Sequence, residues 1–581
     1  MGRELTRAEF LKLSASLAGG ATLAGAPAAR ALASGLWSGS DSLAFADTVL
    51  RGGKVAVMDE ANTFAQAVAV VGGLILATGS DLDVQASIGP QTRVVELHGR
   101  TVTPGLVDPH LHFQVVPQFG GFYIAFIPPE VTSIAELQDA VGEELATLPA
   151  GTWLGGYYLA LSEGRPPTRQ DLDPASPDHP VFVFHQAGHY GTANTRALEL
   201  AGITGSTADP VGGIIERDGA GQPTGVLYNH RAMDLVRKVM PRYTDQMVRD
   251  GILATQPMFA ACGVTTYHDN NIRGASAVAA YQQLAREGRL TLRNALYFTL
   301  EYPSDVDIAL NVVEHYQDAY TRFAGFKFLI DGQATTFYCH EPHTGVSWQT
   351  TTWEVGSFKQ AVRALHDTGL QVCVHCGGDA AVDLALDAFE EAMNANPRSD
   401  PRHRLEHAVL TRAASTQRIK DLGVVVSTQA SFIRMSGDYY KTLFGEERMP
   451  RIIVVKEWLD AGIPVALGSD APTTPWTRPQ VTLAAARVRL TASNQTLGAD
   501  QILTIDEALR AHTITAAYAG KEEHLKGSLE PGKLADLIVW TQDPYALFPR
   551  DLQNATLDLT MVGGAVVYGP PRQLRRRLDH P

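Results

Sequence analysis

Hydrophobic and polar positions change their rhythm several times along this chain. From about residue 47 to 103, short apolar runs alternate with Gly-rich turns: "TVLRGGKVAVMD", "AVAVVGGLILATG" and "TRVVELHGRTVTPG". They predict strands of a small antiparallel sheet. The same texture returns in "GSLEPGKLADLIVW" (527–540) and "LDLTMVGGAVVYG" (557–569). Two distant segments of one kind predict one small β-sandwich domain, 47–103 with 526–570, built from both ends of the chain. The middle is then inserted in it.

That middle alternates strand and helix patterns. Strand candidates are "GVTTYHD" (263–269), "TLRNALYF" (291–298), "GFKFLID" (325–331), "LQVCVHC" (370–376), "RLEHAVL" (404–410), "GVVVSTQ" (423–429) and "IPVALGSD" (463–470). Between them, "DAAVDLALDAFEEAMNANP" puts Val382, Leu386, Phe389 and Met393 on one helical face, with Pro397 just past its end. With "GLVDPHLH" as the first strand there are eight. The expected fold class is α/β, a (β/α)8 TIM-like barrel over 104–525. Between the first two strands lie roughly 150 residues, far beyond a normal connection. This large insert after barrel strand 1, 120–260, carries strand, helix and hairpin patterns of its own. Growing from the top of that strand, it is expected to overhang the barrel mouth, cap the site and help set substrate choice.

Composition narrows the function. The chain has 581 residues, 45% of them hydrophobic, which is ordinary for a globular protein of more than one domain. With 48 Lys+Arg against 62 Asp+Glu the net charge is -14, which disfavours nucleic acid as a partner. "RQLRRRLDH" (572–580) is a short basic tail, read as solvated. No body segment has a run of about 18 apolar residues, so no stable membrane insertion is expected. Four cysteines make no disulfide framework. "CVHC" (373–376) has redox spacing but lies in a strand pattern, where Cys373 and Cys376 point to opposite faces roughly 10 Å apart. Residues 1–33 open with basic residues, continue weakly apolar and end in Ala31-Leu32-Ala33, as export signals do. "TRAEFLK" resembles a twin-arginine motif with Ala8 in place of the second arginine. The expectation is export to the periplasm or beyond, with a cytoplasmic location as the alternative.

Catalytic groups in a barrel stand at the C-terminal ends of its strands. His110 and His112 in "TPGLVDPHLHF" (103–113) alternate by two, so they share a strand face and can hold one metal ion. Alone, the pair is weak evidence. Lys327 near the end of strand 4, His375 on strand 5, His407 on strand 6 and Asp470 on strand 8 strengthen it. Each has a plain alternative: Lys327 reaching solvent, hydrogen-bonded structural histidines, Glu406 pairing Arg404 in "HRLEH", and Asp470 capping a helix. Together they would be four coincidences in register with one fold.

The set "TPGLVDPHLH", "VHCGGDAA", "HRLEHA", "GSDAP" and "GSLEPGKLADLIV" resembles the metal-dependent amidohydrolase superfamily. "GHYGTANTRALELAGI", "GFKFLIDG" and the insert resemble amidohydrolase family 3, the branch containing N-substituted formamide deformylases. The resemblance spans about residues 47 to 569. It implies that His110, His112 and Asp470 bind one metal, that His375 and His407 bind a second, and that a carboxylated Lys327 bridges them. The implied cofactor is a divalent metal, one or two ions, zinc first with manganese or iron as alternatives. Relatives are often homodimers. Two departures stand out: "CGGDAAV" after His375, where many relatives have Ala-Ile-Gly-Asp-Arg, and a loop carrying Cys339, His340 and His343.

The implied activity is hydrolysis of a non-peptide C–N bond in a small-molecule amide, N-substituted formamide or carbamate. Metal-activated hydroxide attacks, and Asp470 serves as proton shuttle. Rivals are ester or lactone hydrolysis or ring deamination on the same centre, and a silent barrel scaffold. His189, Tyr190 and His340 are the candidate substrate contacts. Tyr157, Tyr228 and Trp348 are further aromatics that suggest a pocket, with packing in the core as the equal alternative.

Overall fold

The computed structural model describes residues 45–569 apart from 114–122, 127–129, 159–160, 186–187, 242–243, 313–315, 333–335, 344–350 and 475–477. Trp348, the export-signal segment and the basic tail lie outside the described residues.

An eight-stranded parallel sheet with intervening helices forms a TIM-like barrel. Its strands are β1 (Leu106–Leu111), β2 (Val264–Ile272), β3 (Arg293–Leu300), β4 (Thr321–Leu329), β5 (Gln371–Cys376), β6 (Arg404–His407), β7 (Val425–Thr428) and β8 (Val465–Leu467), paired in chain order. Every residue of β3, β5 and β6 is buried, which is why these strands read as apolar runs: helices cover one face and the barrel interior the other. The helix Asp379–Ala395 buries Val382, Leu386 and Phe389, with Met393 at its margin.

The barrel's first and last strands meet just beyond their ends. The Asp470 N–H donates to the His110 carbonyl (2.8 Å) and the His112 N–H to the Ala471 carbonyl (2.8 Å). Gly468 permits this approach, since a Cβ there would lie 3.0 Å from the His110 Cβ and carbonyl oxygen. Closure therefore runs through three of the ligand candidates.

Strand ends differ from the sequence expectation where the backbone turns. The apolar run 463–470 yields only a three-residue β8, and Asp470 follows in the left-handed region (φ 56°). β6 stops at His407 because His407 (φ 73°) and Ala408 (φ 44°) leave the extended region. β4 begins at Thr321, earlier than expected, because Thr321 and Arg322 pair with Asn294 and Ala295 of β3. Cys373 and Cys376 are free and buried on β5.

The insert forms a six-stranded sheet in the order Ile214–Arg217, Pro223–Tyr228, Tyr190–Ala193, Val181–His185, Leu154–Tyr158, Tyr123–Phe126. Helix Ile134–Leu145, with a Ser133/Glu136 capping box, packs Leu137 and Val141 with Leu154, Tyr158 and Val183 on one face. Helices Thr195–Ala201 and Asn229–Arg237 pack with Phe182, Phe184 and Leu227 on the other. The last helix docks on the C-terminal end of β3. There the Arg231 guanidinium lies 3.8 Å over the Tyr302 ring, and the Tyr302 hydroxyl donates to Asp234.

Two small sheets combine both ends of the chain. One holds Thr48–Arg51, Ala67–Val71, Leu74–Gly79 and Arg93–Glu96. The other holds Lys54–Ala56, Phe64–Ala65, Thr101–Pro104, Leu537–Trp540, Leu557–Val562 and Ala565–Tyr568. They share a core that includes Leu50, Val68, Val55, Val102, Leu537 and Leu559. The sheets are mixed rather than purely antiparallel: Thr48–Arg51 runs parallel to Arg93–Glu96, and Lys54–Ala56 parallel to Thr101–Pro104. The connections between these partners cross over instead of turning back as hairpins.

Candidate metal centre

His110 is the last-but-one residue of β1, and His112 follows the strand, so the two rings leave from one side of its end. Their Nε2 atoms lie 3.5 Å and 3.0 Å from Asp470 Oδ1. The three side chains can offer ligand atoms that all lie within 4.8 Å of one another. Asp470 Oδ1 is buried and has no hydrogen-bond partner among the described residues, whereas Oδ2 accepts from the Thr473 hydroxyl at 2.5 Å. A buried carboxylate oxygen facing two imidazole nitrogens without a donor is what a bound cation would satisfy. Two imidazoles and a carboxylate are a donor set suited to zinc and its neighbours. The residues fit a divalent ion.

The other candidates gather on the same spot. Lys327 is fully buried on β4 with Nζ 3.3 Å from His110 Nε2. The His407 ring lies 4.5 Å from that of His110, and the His375 ring 4.5 Å from that of His407. The insert adds His189, 5.2 Å from His375, and His230, 5.5 Å from His189. Six imidazoles thus run in contact from β1 to the insert.

Each of three rings is fixed through its Nδ1. His110 meets Glu406 Oε2 at 2.5 Å, His375 meets Asp331 Oδ1 at 2.6 Å, and His407 meets Gln429 Oε1 at 2.6 Å. An acceptor at Nδ1 keeps the proton there and leaves Nε2 as a lone pair for a ligand. Burial holds these imidazoles neutral: His375 and His407 are pushed down to about 3 and His110 well below its ordinary value. Burial also lowers Lys327, against the pull of Glu406 and Asp470. For Asp470 burial acts upward, yet the His112 contact and the neighbouring histidines hold the carboxyl below the usual range. His407 and Asp470 keep left-handed backbones, at a cost of about 1–3 kcal/mol each, and aim their side chains at the centre.

Behind the ligands, Glu406 does pair with Arg404 (Nη2–Oε1 2.6 Å), as the plainer reading of "HRLEH" held, while its second oxygen holds His110. Arg404 is fully buried and also reaches the Tyr297 hydroxyl (3.1 Å), His268 Nδ1 (3.0 Å) and the Pro109 carbonyl (2.7 Å). Asp331 accepts backbone N–H bonds from Tyr338 (3.2 Å), Gly377 (3.0 Å) and Gly378 (2.9 Å), although burial pushes its carboxyl up to about 7.

Of the candidate substrate contacts, His189 is at the centre, with a buried Nδ1 that has no partner among the described residues. Tyr190 follows it and turns to another face, stacked on His185. His340 is not brought in. It is exposed and bonds Asp383 at 2.8 Å, drawn to the helix that follows β5. His343 is buried and bonds the Phe337 carbonyl (3.1 Å). Glu406, Asp331, Gln429 and His230 were not singled out from the sequence as functional. Glu406 had a signal in "HRLEH", and His230 closes the "VLYNH" hairpin segment.

A parallel barrel with histidines, a lysine and an aspartate at its strand ends defines a metal-dependent hydrolase. Residues 93–568 match the amidohydrolase family, family 3, and the chain belongs to it. It is 29% identical over 545 residues to an N-substituted formamide deformylase from Arthrobacter pascens, covering 90% of this chain and 98% of that one. It is also 29% identical over 543 residues to the protein LONG AFTER FAR-RED 3 of Arabidopsis thaliana, covering 90% and 92%. An uncharacterized metal-dependent hydrolase from Pyrococcus horikoshii OT3 superposes with a TM-score of 0.69 at 25% identity, covering 86% of this chain and 99% of that one. Among the described residues no helix is long and apolar enough to cross a membrane.

Proposed function

We propose that this chain hydrolyses a non-peptide C–N bond in an amide, an N-substituted formamide or a carbamate. The observation that carries the reading is the unpartnered Asp470 Oδ1 between His110 and His112 at the barrel mouth. The relative named as an N-substituted formamide deformylase, matched over 98% of its length, supports the choice of bond. His110, His112 and Asp470 would hold one divalent ion and His375 and His407 a second, with zinc the first choice and manganese or iron next. Bound there, a divalent ion supplies Lewis acidity, which lowers the pKa of water toward about 7 and polarises a carbonyl oxygen.

The chain's own groups do the rest. The Asp470 carboxylate takes the proton from the attacking water and returns it to the leaving nitrogen. His189 donates to the carbonyl oxygen as negative charge develops on it. A buried ammonium on Lys327 would repel a divalent ion. A neutral amine could instead add to carbon dioxide, lose a proton and offer two anionic carbamate oxygens as metal ligands.

The test is a panel of formamides, acyl-amides, carbamates and lactones, run with metal analysis of the same protein. Turnover of C–N substrates is expected, and Asp470→Asn should keep its metal while losing about 10²-fold or more of it. Turnover of lactones alone, or unchanged turnover in Asp470→Asn, overturns the reading.

A further inference from the structure

The insert sheet carries a cross-strand row of rings that the reaction itself does not use. Tyr158 lies opposite His185, and Tyr190 opposite Tyr228, at the ends of four adjacent strands. The His185 and Tyr190 rings stack at 4.8 Å and 17°, with Tyr158 5.8 Å from His185 and Tyr228 5.9 Å from Tyr190. Strand alternation puts these four side chains on one face, while Tyr157 and Phe184 pack on the other. The row begins one residue beyond His189, which reaches His375, although the Tyr190 ring leaves the chain on another face.

A barrel element lies near the row. The helix Ser431–Phe444 follows β7, and near its start Phe432 stacks on His407 (5.7 Å, 17°). Further along, Tyr439 is 47% exposed and lies close enough to help raise the Tyr190 and Tyr228 phenols, after burial. The same helix thus touches the metal centre at Phe432 and carries Tyr439 near the row.

The chemistry of the row is uniform. It contains no lysine, arginine, aspartate or glutamate. Burial raises all three phenols, so they stay neutral. Tyr228 donates to Glu216 at 3.2 Å. The Tyr158 hydroxyl is fully buried and has no hydrogen-bond partner among the described residues. Adjoining rings with neutral hydroxyls suit a flat uncharged group and offer no cation to a carboxylate.

Building on the function proposed above, we propose that this row is the wall against which the non-reacting part of the substrate lies, and that this part is an uncharged aromatic ring. Rings stacked against Tyr190 and Tyr228 gain an interaction that a saturated ring of similar size does not.

The experiment is calorimetric binding of acetophenone and of cyclohexyl methyl ketone to the metal-loaded protein. Both probes carry a carbonyl and a ring, and neither has a C–N bond to cleave. Acetophenone should bind about tenfold more tightly. Tyr190→Leu and Tyr228→Leu should each bring the two Kd values toward equality, whereas Tyr228→Phe, which keeps the ring, should preserve the difference. Metal content and circular dichroism establish that each variant is folded. Equal Kd values in the unaltered protein, absent binding of both ketones, or an undiminished preference in both leucine variants overturns the proposal. Ring preference without C–N hydrolysis keeps the wall and removes the bond assignment, and C–N hydrolysis without ring preference does the reverse.

Discussion

Glu406 holds two functions on one buried carboxylate. One oxygen fixes the His110 ring and the other neutralises Arg404, a fully buried guanidinium. In Glu406→Gln the arginine loses its counter-charge and His110 loses its anionic acceptor. Metal affinity, measured by chelator competition, should fall about 10–100-fold. Unfolding free energy in urea should fall by about 3–5 kcal/mol, the cost of leaving a buried charge unpaired. Gln429→Ala removes only a neutral acceptor from His407, so metal affinity should drop while stability changes far less. Equal stability losses in the two variants would contradict this division. The ligand candidates were legible because His110, His112, Lys327, His375, His407 and Asp470 are unusual residue types at apolar strand ends. Their holders were not, because Glu406 reaches His110 from β6 to β1, and Asp331 and Gln429 depend on how neighbouring strands are staggered. His340 looked like a site residue in sequence, but a nearby surface carboxylate, Asp383, takes it.

At the scale of elements, polar contacts among the described residues tie the insert to the barrel. Arg231 over Tyr302 is the central one, joined by Arg231 to the Thr352 carbonyl (3.3 Å) and by the Tyr302 hydroxyl to Asp234. Tyr302→Leu removes the cation–π face and the hydroxyl that binds Asp234. It should cost about 1–2 kcal/mol of stability. Limited proteolysis should then cut the insert faster, while metal content is unchanged, since no ligand moves. An unchanged cleavage rate would show that the docking is carried elsewhere. The eight barrel strands were readable from their apolar runs. The strand Tyr190–Ala193 was not, because "GHYGTA" has the Gly-rich texture of a loop and becomes a strand only by pairing with its neighbours on both sides. β8 was overestimated for the opposite reason: its apolar run continues into residues whose backbone turns at the site.

Across the whole molecule, burial keeps several imidazoles neutral. His185 is pushed down to about 4, and His375, His407 and His512 to about 3. In the unfolded chain each takes a proton near 6.5. Below that pH the unfolded state binds more protons than the fold, so stability is full above about 6.5 and is lost progressively toward about 4. The loss is about 1.4 kcal/mol per pH unit for each histidine. Urea midpoints of the metal-free protein should decline steadily over that range, and a flat profile would contradict the buried neutral state. The central claim, that these strand ends form a hydrolytic metal centre, is tested most directly by elemental analysis of protein purified without chelator, beside His110→Ala and His375→Ala. The expected result is one or two equivalents of a divalent transition metal per chain, reduced in both variants together with C–N hydrolysis. Absence of metal from the unaltered protein, or full retention in both variants, would contradict it.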